Sequence, residues 1–418
     1  MITISEEATH FSKLEPYFDG HIGVMIYEYM VENKYVDRKF GLGKMIQFAQ
    51  KTKMVSFTIN LINQYNESDE TPEDLNTLKS EVSKTLSEKR DRFRTISMTI
   101  KEDRFRTLIE STTKSHEEII KTCYTLFDLP KNFHQIIYDY MTIMYDTGKY
   151  SKCDKYLRIY ACLVNKKSDA YLECLWGQLY CTILENESMG ASDLIDIIFR
   201  EIQEREINHH SKILQVNHLL HLSLLVYFKS DNLFGKFYDV CSNNDYFRQA
   251  LEVISPHLMR YVVVSALISS ESDSDLQDLQ DLMLNDVTDY SDCFVLFIKS
   301  LLCDYDVEMC IQQLKLCLSE FQHDYVIRWL QELFEARAYF QILKLYSLIH
   351  NSVSLQSIIS TFGVDSEFAQ ILIRQFFSIE NVEEVIQTTP TDDPMFKSSI
   401  LPPLVILEEF SNKLKIST

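Results

Sequence analysis

His218 and His221 stand three residues apart, with His209 and His210 just upstream. Imidazoles at i and i+3 of a helix can share a zinc ion. No Glu or Cys at a ligand spacing completes the set, and His218 falls in a very apolar stretch, so these read as core or interface histidines. Gly41-Leu42-Gly43-Lys44 is not a phosphate loop, because the spacing is wrong and no Ser or Thr follows the lysine. The ten cysteines include no Cys-x-x-Cys pair. Cys303, Cys310 and Cys317 fall seven apart, which would place them on one helix face as small buried apolar residues of a reduced protein. There is no nucleophile elbow, and the acids lie on faces expected to be exposed, where nothing would shift a pKa toward catalysis. The expectation is a protein without catalytic residues, metal or cofactor, and not an enzyme.

Two other constellations suit binding. Lys84 to Arg106 carries eight bases and four acids in a chain of net charge −20. Within it Asp91-Arg92-Phe93-Arg94-Thr95 recurs, twelve residues on, as Asp103-Arg104-Phe105-Arg106-Thr107. Basic residues beside aromatics, here Lys89, Arg90, Arg92, Arg94, Arg104 and Arg106, can hold RNA through phosphates and stacking. The plainer reading is a solvated helix laced with ion pairs. Glu271 to Glu308 is the opposite, with eleven acids and a single base, Lys299. It reads as a solvated acidic ridge or as a dock for a basic partner.

The other constellation is Val353 to Phe377, which reads as helix, tight turn, helix. Leu355, Ile358, Ile359 and Phe362 recur at the spacing of one buried helix face. Gly363 stops that helix, Asp365 can cap the next, and Phe368, Ala369, Leu372 and Phe376 form its stripe. For reading DNA the second helix offers Gln370, Arg374 and Gln375, flanked by Asp365 and Glu367. One cation beside two anions is poor equipment for a DNA groove, so this module is expected to bind proteins, with Leu355, Ile358, Phe362, Gln370 and Arg374 at a partner interface.

The elements around these sites are helical. Only 9 glycines and 8 prolines occur in 418 residues, against usual shares of about 7% and 5%. No proline separates Pro130 from Pro256, or Pro256 from Pro390. Residues 6 to 65 read as three or four short helices, and Leu75 to about Arg94 as a polar one. Paired helices follow: Ile136 to Asp146 and Tyr150 to Val164 around a Thr147-Gly148-Lys149 turn, then Asp169 to Leu184 and Ala191 to Glu206 joined near Gly190. Lys212 to Phe228 is apolar nearly all round and should be buried on most sides. Ser255 is expected to cap a helix that opens at Pro256 and runs to about Ile268. Thr388 to Pro403 suggests a wing loop or linker. Leu404, Leu407, Phe410 and Leu414 make one side of a final helix that could pack on a partner or back on the chain.

The fold class expected is therefore all-α, an α-solenoid of TPR-like helical pairs followed by a C-terminal winged helix and a terminal helix. The divisions expected are 1–130, an N-terminal helical region; 131–345, the solenoid; 346–400, the winged helix; and 401–418, the last helix. Met1 to His10 is polar and acidic, unlike a signal peptide, and no apolar run reaches the roughly 20 residues of a membrane span. A cytoplasmic chain without membrane contact is expected.

A solenoid ending in a winged helix resembles the PCI domain of the proteasome lid, the COP9 signalosome and translation initiation factor three. Its helical part would begin near residue 250. Three segments resemble the e-subunit family of that initiation factor. Ser255-Pro256-His257-Leu258-Met259-Arg260-Tyr261 is similar to Cys-Pro-His-Ile-Leu-Arg-Tyr, and Leu175-Trp176-Gly177-Gln178-Leu179 to Leu-Trp-Gly-Lys-Leu. Leu219-Leu220-His221-Leu222-Ser223-Leu224-Leu225-Val226-Tyr227-Phe228 is similar to Leu-Ile-His-Trp-Ser-Leu-Phe-Val-Phe-Phe. Met54-Val55-Ser56-Phe57 fits Met-Val-Asp-Phe. The duplicated Asp-Arg-Phe-Arg-Thr and the stretch after Phe377 depart from the family. The resemblance implies a non-catalytic scaffold with other PCI and MPN subunits and the small ribosomal subunit as partners. A proteasome-lid or signalosome subunit, and an RNA-binding protein using the basic island, are the alternatives.

Overall fold

The computed structural model describes residues 11–68, 73–109, 116–230, 232–270, 273–284, 290–350, 352–377 and 385–387. Among these, twenty-one α-helices stand against two three-residue strands, so the protein is all-α. The chain divides into two compact units, Met1–Val226 and Tyr227–Thr418.

In the first unit, the helices Gly20–Glu32, Arg38–Ala49 and Val55–Asn66 pack in sequence. Asp19 and Asp37 cap the first two, each carboxylate accepting from backbone N–H groups of the opening turn. The polar helix is longer than its pattern suggested, running Glu73–Ile100, about 42 Å at 1.5 Å per residue. No residue from Glu73 to Arg92 is buried, whereas Phe93, Ile96, Thr99 and Ile100 are. The apolar residues after Arg92 dock that end on the Phe133–Asp146 helix, and this tertiary contact carries the helix past the end of its polar stretch.

The helical pairs follow as Phe133–Asp146 with Tyr150–Leu163, then Asp169–Leu184 with Ser188–Glu204. Gly148 takes φ +77 in the expected first turn, a conformation glycine adopts without steric cost. The second turn differs from expectation. It lies at Glu185–Glu187, where Asn186 adopts φ +62, and Gly190 sits inside the next helix. Asparagine tolerates the left-handed region better than most residues, so it replaced the glycine the sequence offered. The His209–Tyr227 helix is buried on most sides, as its composition requires: Leu219, Leu220, His221, Leu222 and Leu224 have no exposed surface.

In the second unit, every residue from Met259 to Ile268 is buried. This Met259–Ser269 helix packs against Phe234–Asn243, Cys293–Lys299 and Gln331–Ile349. Phe294, Phe321 and Phe334 cluster beside it, with ring centroids 5.0 to 5.6 Å apart. The α-helix opens later than expected, after a 3₁₀ turn over Pro256–Leu258. Ser255 does not cap that turn with its side chain; its carbonyl accepts from Leu258 N at 3.0 Å. Cys310 and Cys317 are buried on the Val307–Phe321 helix, but Cys303 lies on the preceding Ser300–Asp304 turn and is half-buried. The left-handed Tyr305 separates the two segments, so the seven-residue spacing does not carry Cys303 onto the shared face.

Candidate partner-binding surface

The segment singled out at Val353 folds as a winged-helix-like module, with one change. Ser352–Ser354 is strand β1, and it pairs antiparallel with β2, Val385–Gln387, with Val353 opposite Ile386. The helices Leu355–Phe362 and Ser366–Phe377 lie between the strands in sequence. Ser354 opens the first through a capping box: its hydroxyl accepts from Ser357 N at 3.1 Å, and the Ser357 hydroxyl accepts from Ser354 N at 3.1 Å. Gly363 ends it at φ +68, and the Asp365 carboxylate caps the second helix from Phe368 N at 2.7 Å.

The module is seated on the long Gln331–Ile349 helix. Tyr339 stacks on Phe362 at 6.1 Å and meets Phe368 edge-on at 5.2 Å, while Tyr346 meets Phe362 edge-on at 5.9 Å. Ile358 and Phe362 are therefore fully buried within the chain. Their side chains support the surface from beneath and do not form it. Leu355 and Gln370 are half-buried, and Arg374 is exposed. Leu404, Leu407, Phe410 and Leu414, with the Thr388 to Pro403 stretch, lie outside the described residues. Sequence reasoning passed over Leu348 and Ile349, which are 78% and 52% exposed immediately before β1. Their helical spacing looks like core, and nothing in the sequence says that the other described residues leave that side of the helix uncovered.

The basic island has a simple geometry. Both copies of the repeated pentapeptide bury their phenylalanine and expose their arginines. Phe93 stacks on Tyr140 at 4.3 Å, and Phe105 meets Phe127 edge-on at 5.5 Å. These rings belong to the core, which removes them as stacking platforms for bases. Lys89 donates to the Asp139 carbonyl at 3.2 Å, and Arg90 lies close enough to Tyr140 to lower its phenol's pKa against the larger effect of burial. Arg92, Arg94, Arg104 and Arg106 are exposed, and no ion pair engages them among the described residues. The lacing with ion pairs that the pattern suggested is absent from these four positions among the described residues.

The family-like segments prove to be packing devices. Arg260, 4% exposed, donates from Nε to Asp292 at 2.9 Å and from Nη1 to Asp324 at 3.1 Å. The adjacent Tyr261 hydroxyl donates to the same Asp324 oxygen at 2.9 Å. The two carboxylates hold the guanidinium charged despite its burial. In the first unit, His218 Nε2 lies 2.7 Å from the Tyr180 hydroxyl and its ring 5.2 Å from Trp176, so the helices that carry the second and third segments touch. His221 stacks on Tyr17 at 3.5 Å. Burial lowers the pKa of His218, partly offset by the charge of Asp19. No group of three or more metal-ligating side chains gathers among the described residues, nor is any single helix there long and apolar enough to cross a membrane.

Helical pairs whose polar clusters brace neighbouring helices define an all-α helical-repeat protein. Comparison with known proteins gives a more particular likeness. Residues 11–151 match the family model described as eIF3 subunit 6 N terminal domain. The chain is similar to the E subunit of eukaryotic translation initiation factor 3 of Culex quinquefasciatus and to that of Aedes aegypti, each 22% identical over 358 residues, covering 85% of this chain and 81% of the relative. The Bombyx mori protein of the same name is 21% identical over 377 residues, covering 86% and 82%. The resemblance read from the segments at Met54, Trp176, His221 and Arg260 is borne out.

Proposed function

We propose that this chain is a non-catalytic scaffold subunit of eukaryotic translation initiation factor three, acting in translation initiation. The observation that carries the reading is the similarity to the insect E subunits over 358 residues, a length that exceeds either compact unit. The all-helical architecture and the exposed Leu348 and Ile349 beside the winged-helix-like module are consistent with it. The reading places the chain in the cytoplasm, in contact with other PCI and MPN subunits and with the small ribosomal subunit. Arg374, Leu355 and Gln370, extended by Leu348 and Ile349, form the proposed partner face. The tail residues Leu404, Leu407, Phe410 and Leu414 are proposed to add a helix to the same assembly. Sedimentation of tagged chain through a sucrose gradient tests this: the chain should run with small ribosomal subunits and initiation factor three. A position at the size of the free chain counts against it.

A second reading rests on one observation. Four exposed arginines without ion pairs among the described residues, in a chain of net charge −20, suit RNA phosphates. We propose that Arg92, Arg94, Arg104 and Arg106 touch RNA within the assembled complex.

A further inference from the structure

The first unit contains a groove of about 320 Å³ that the reading above does not use. One wall is a face of the Phe133–Asp146 helix, where Tyr138, Met141 and Tyr145 recur at helical spacing. The other is a face of the Asp169–Leu184 helix, where Glu173, Gly177 and Tyr180 do the same. Asp19 joins the lining from the N-terminal helices. We propose that this groove receives an arginine side chain presented by a partner polypeptide.

The charge is one-sided. Asp19 and Glu173 line the groove, and among the described residues no Lys, Arg or His does. Asp19 accepts from Ile22 N at 2.9 Å and from the Tyr145 hydroxyl, which leaves about two of a carboxylate's roughly four lone-pair sites for a further donor. The Tyr145 and Tyr180 rings meet edge to face at 6.3 Å. Tyrosine faces attract cations, and a planar guanidinium both stacks on rings and forks onto a carboxylate, which an ammonium cannot do. The size also fits, since about 300 Å³ is the lower end of ligand pockets and accommodates one long side chain, not a helix. Gly177 makes the space: a Cβ there would lie 3.1 Å from Leu157 Cδ1. Glu173 and Thr142 are exposed at the groove, so a backbone carrying the arginine stays outside while the side chain enters. The field of Glu173 reaches the opposite wall, where it adds to burial in raising the Tyr138 phenol.

The inference does not depend on membership of initiation factor three. It is tested with the full chain labelled at methionine methyl groups, following Met141 by NMR. The probe is acetyl-Gly-Arg-Gly-amide, compared with the same peptide carrying Lys or Leu and with free arginine. The Arg peptide should shift the Met141 signal saturably, and several-fold more tightly than the Lys peptide or free arginine. Glu173→Gln, an exposed change that leaves the other methionine signals in place, should weaken binding roughly two- to fivefold, and Glu173→Lys should abolish it. A silent Met141 overturns the proposal, as does an equal response to the Leu peptide or undiminished binding by Glu173→Lys. Equal binding of the Lys peptide overturns the choice of guanidinium, and equal binding of free arginine overturns the choice of a polypeptide.

Discussion

Arg260 Nη1 and Asp324 Oδ2 meet at 3.1 Å across 64 positions of sequence, and the Tyr261 hydroxyl reaches the same oxygen. The pair ties the most buried helix of the second unit to the turn that precedes the Gln331–Ile349 helix, on which the winged-helix module is seated. A buried guanidinium is tolerated only while its carboxylates remain. Asp324→Ala is expected to cost about 3–5 kcal/mol, read as a fall in the urea midpoint of the second unit. Replacing both partners together, Arg260→Met with Asp324→Leu, should cost clearly less, because the buried guanidinium is gone and the Asp292 carboxylate left behind keeps the Tyr290 hydroxyl and Val295 N–H as donors. Equal losses in the two variants would show that the ion pair is not what holds these elements.

His21 and His218 both have their pKa lowered by burial, with the charge of Asp19 opposing it and Asp146 adding to that opposition at His21. The unfolded chain therefore binds more protons than the folded one once pH drops below the ordinary histidine value of about 6.5. The stability from keeping these rings neutral is fully present above about 6.5 and declines as pH falls toward the depressed folded values. Thermal unfolding midpoints compared at pH values on either side of that ordinary value should decline with falling pH, and His218→Gln should flatten that slope. A variant slope as steep as the parent's would rule out His218 as a source.

Gly363 at φ +68 ends the first helix of the winged-helix module. Any L-residue with a Cβ pays roughly 1–2 kcal/mol for that conformation. Gly363→Ala should speed hydrogen exchange across Leu355–Phe377 by about five- to thirtyfold, while Met259–Ser269 stays as protected as before. Unchanged exchange in the module would mean that the turn is not under steric control.

Changing Arg92, Arg94, Arg104 and Arg106 to Glu together should leave the fold intact, because all four are exposed, and should abolish salt-sensitive retention on RNA. Electrophoretic mobility shifts at low and high salt read this directly. RNA affinity that survives the four changes would show that any RNA contact lies elsewhere.

The sequence displayed most of this architecture, since helical period and turn residues are local signals. The Thr147-Gly148-Lys149 turn, the Gly363 stop and the Asp365 cap all follow from single residues and their neighbours. The failures share a physical cause. Asn186 took the left-handed turn position and Gly190 fell inside the next helix, because asparagine also tolerates that conformation and residue type alone does not fix the turn. Val353 joined a strand that local signals do not reveal, because its partner Ile386 lies some thirty residues away, in Val385–Gln387. Ile358 and Phe362 looked like contact residues because an apolar stripe has the same spacing whether it faces a partner or the interior of its own chain, where Phe362 meets Tyr339 and Tyr346. The groove at Gly177 was invisible for a similar reason: Asp19, Tyr145 and Tyr180 become neighbours only when the N-terminal helices meet the helical pairs.

Membership of initiation factor three is tested most directly by purifying the tagged chain from cells at native salt and weighing its companions by mass spectrometry. The expected companions are the other subunits of that factor, in near-equal amounts and together with small ribosomal subunit proteins. Recovery of proteasome-lid or signalosome subunits in their place, or of the chain alone, would contradict the proposed role.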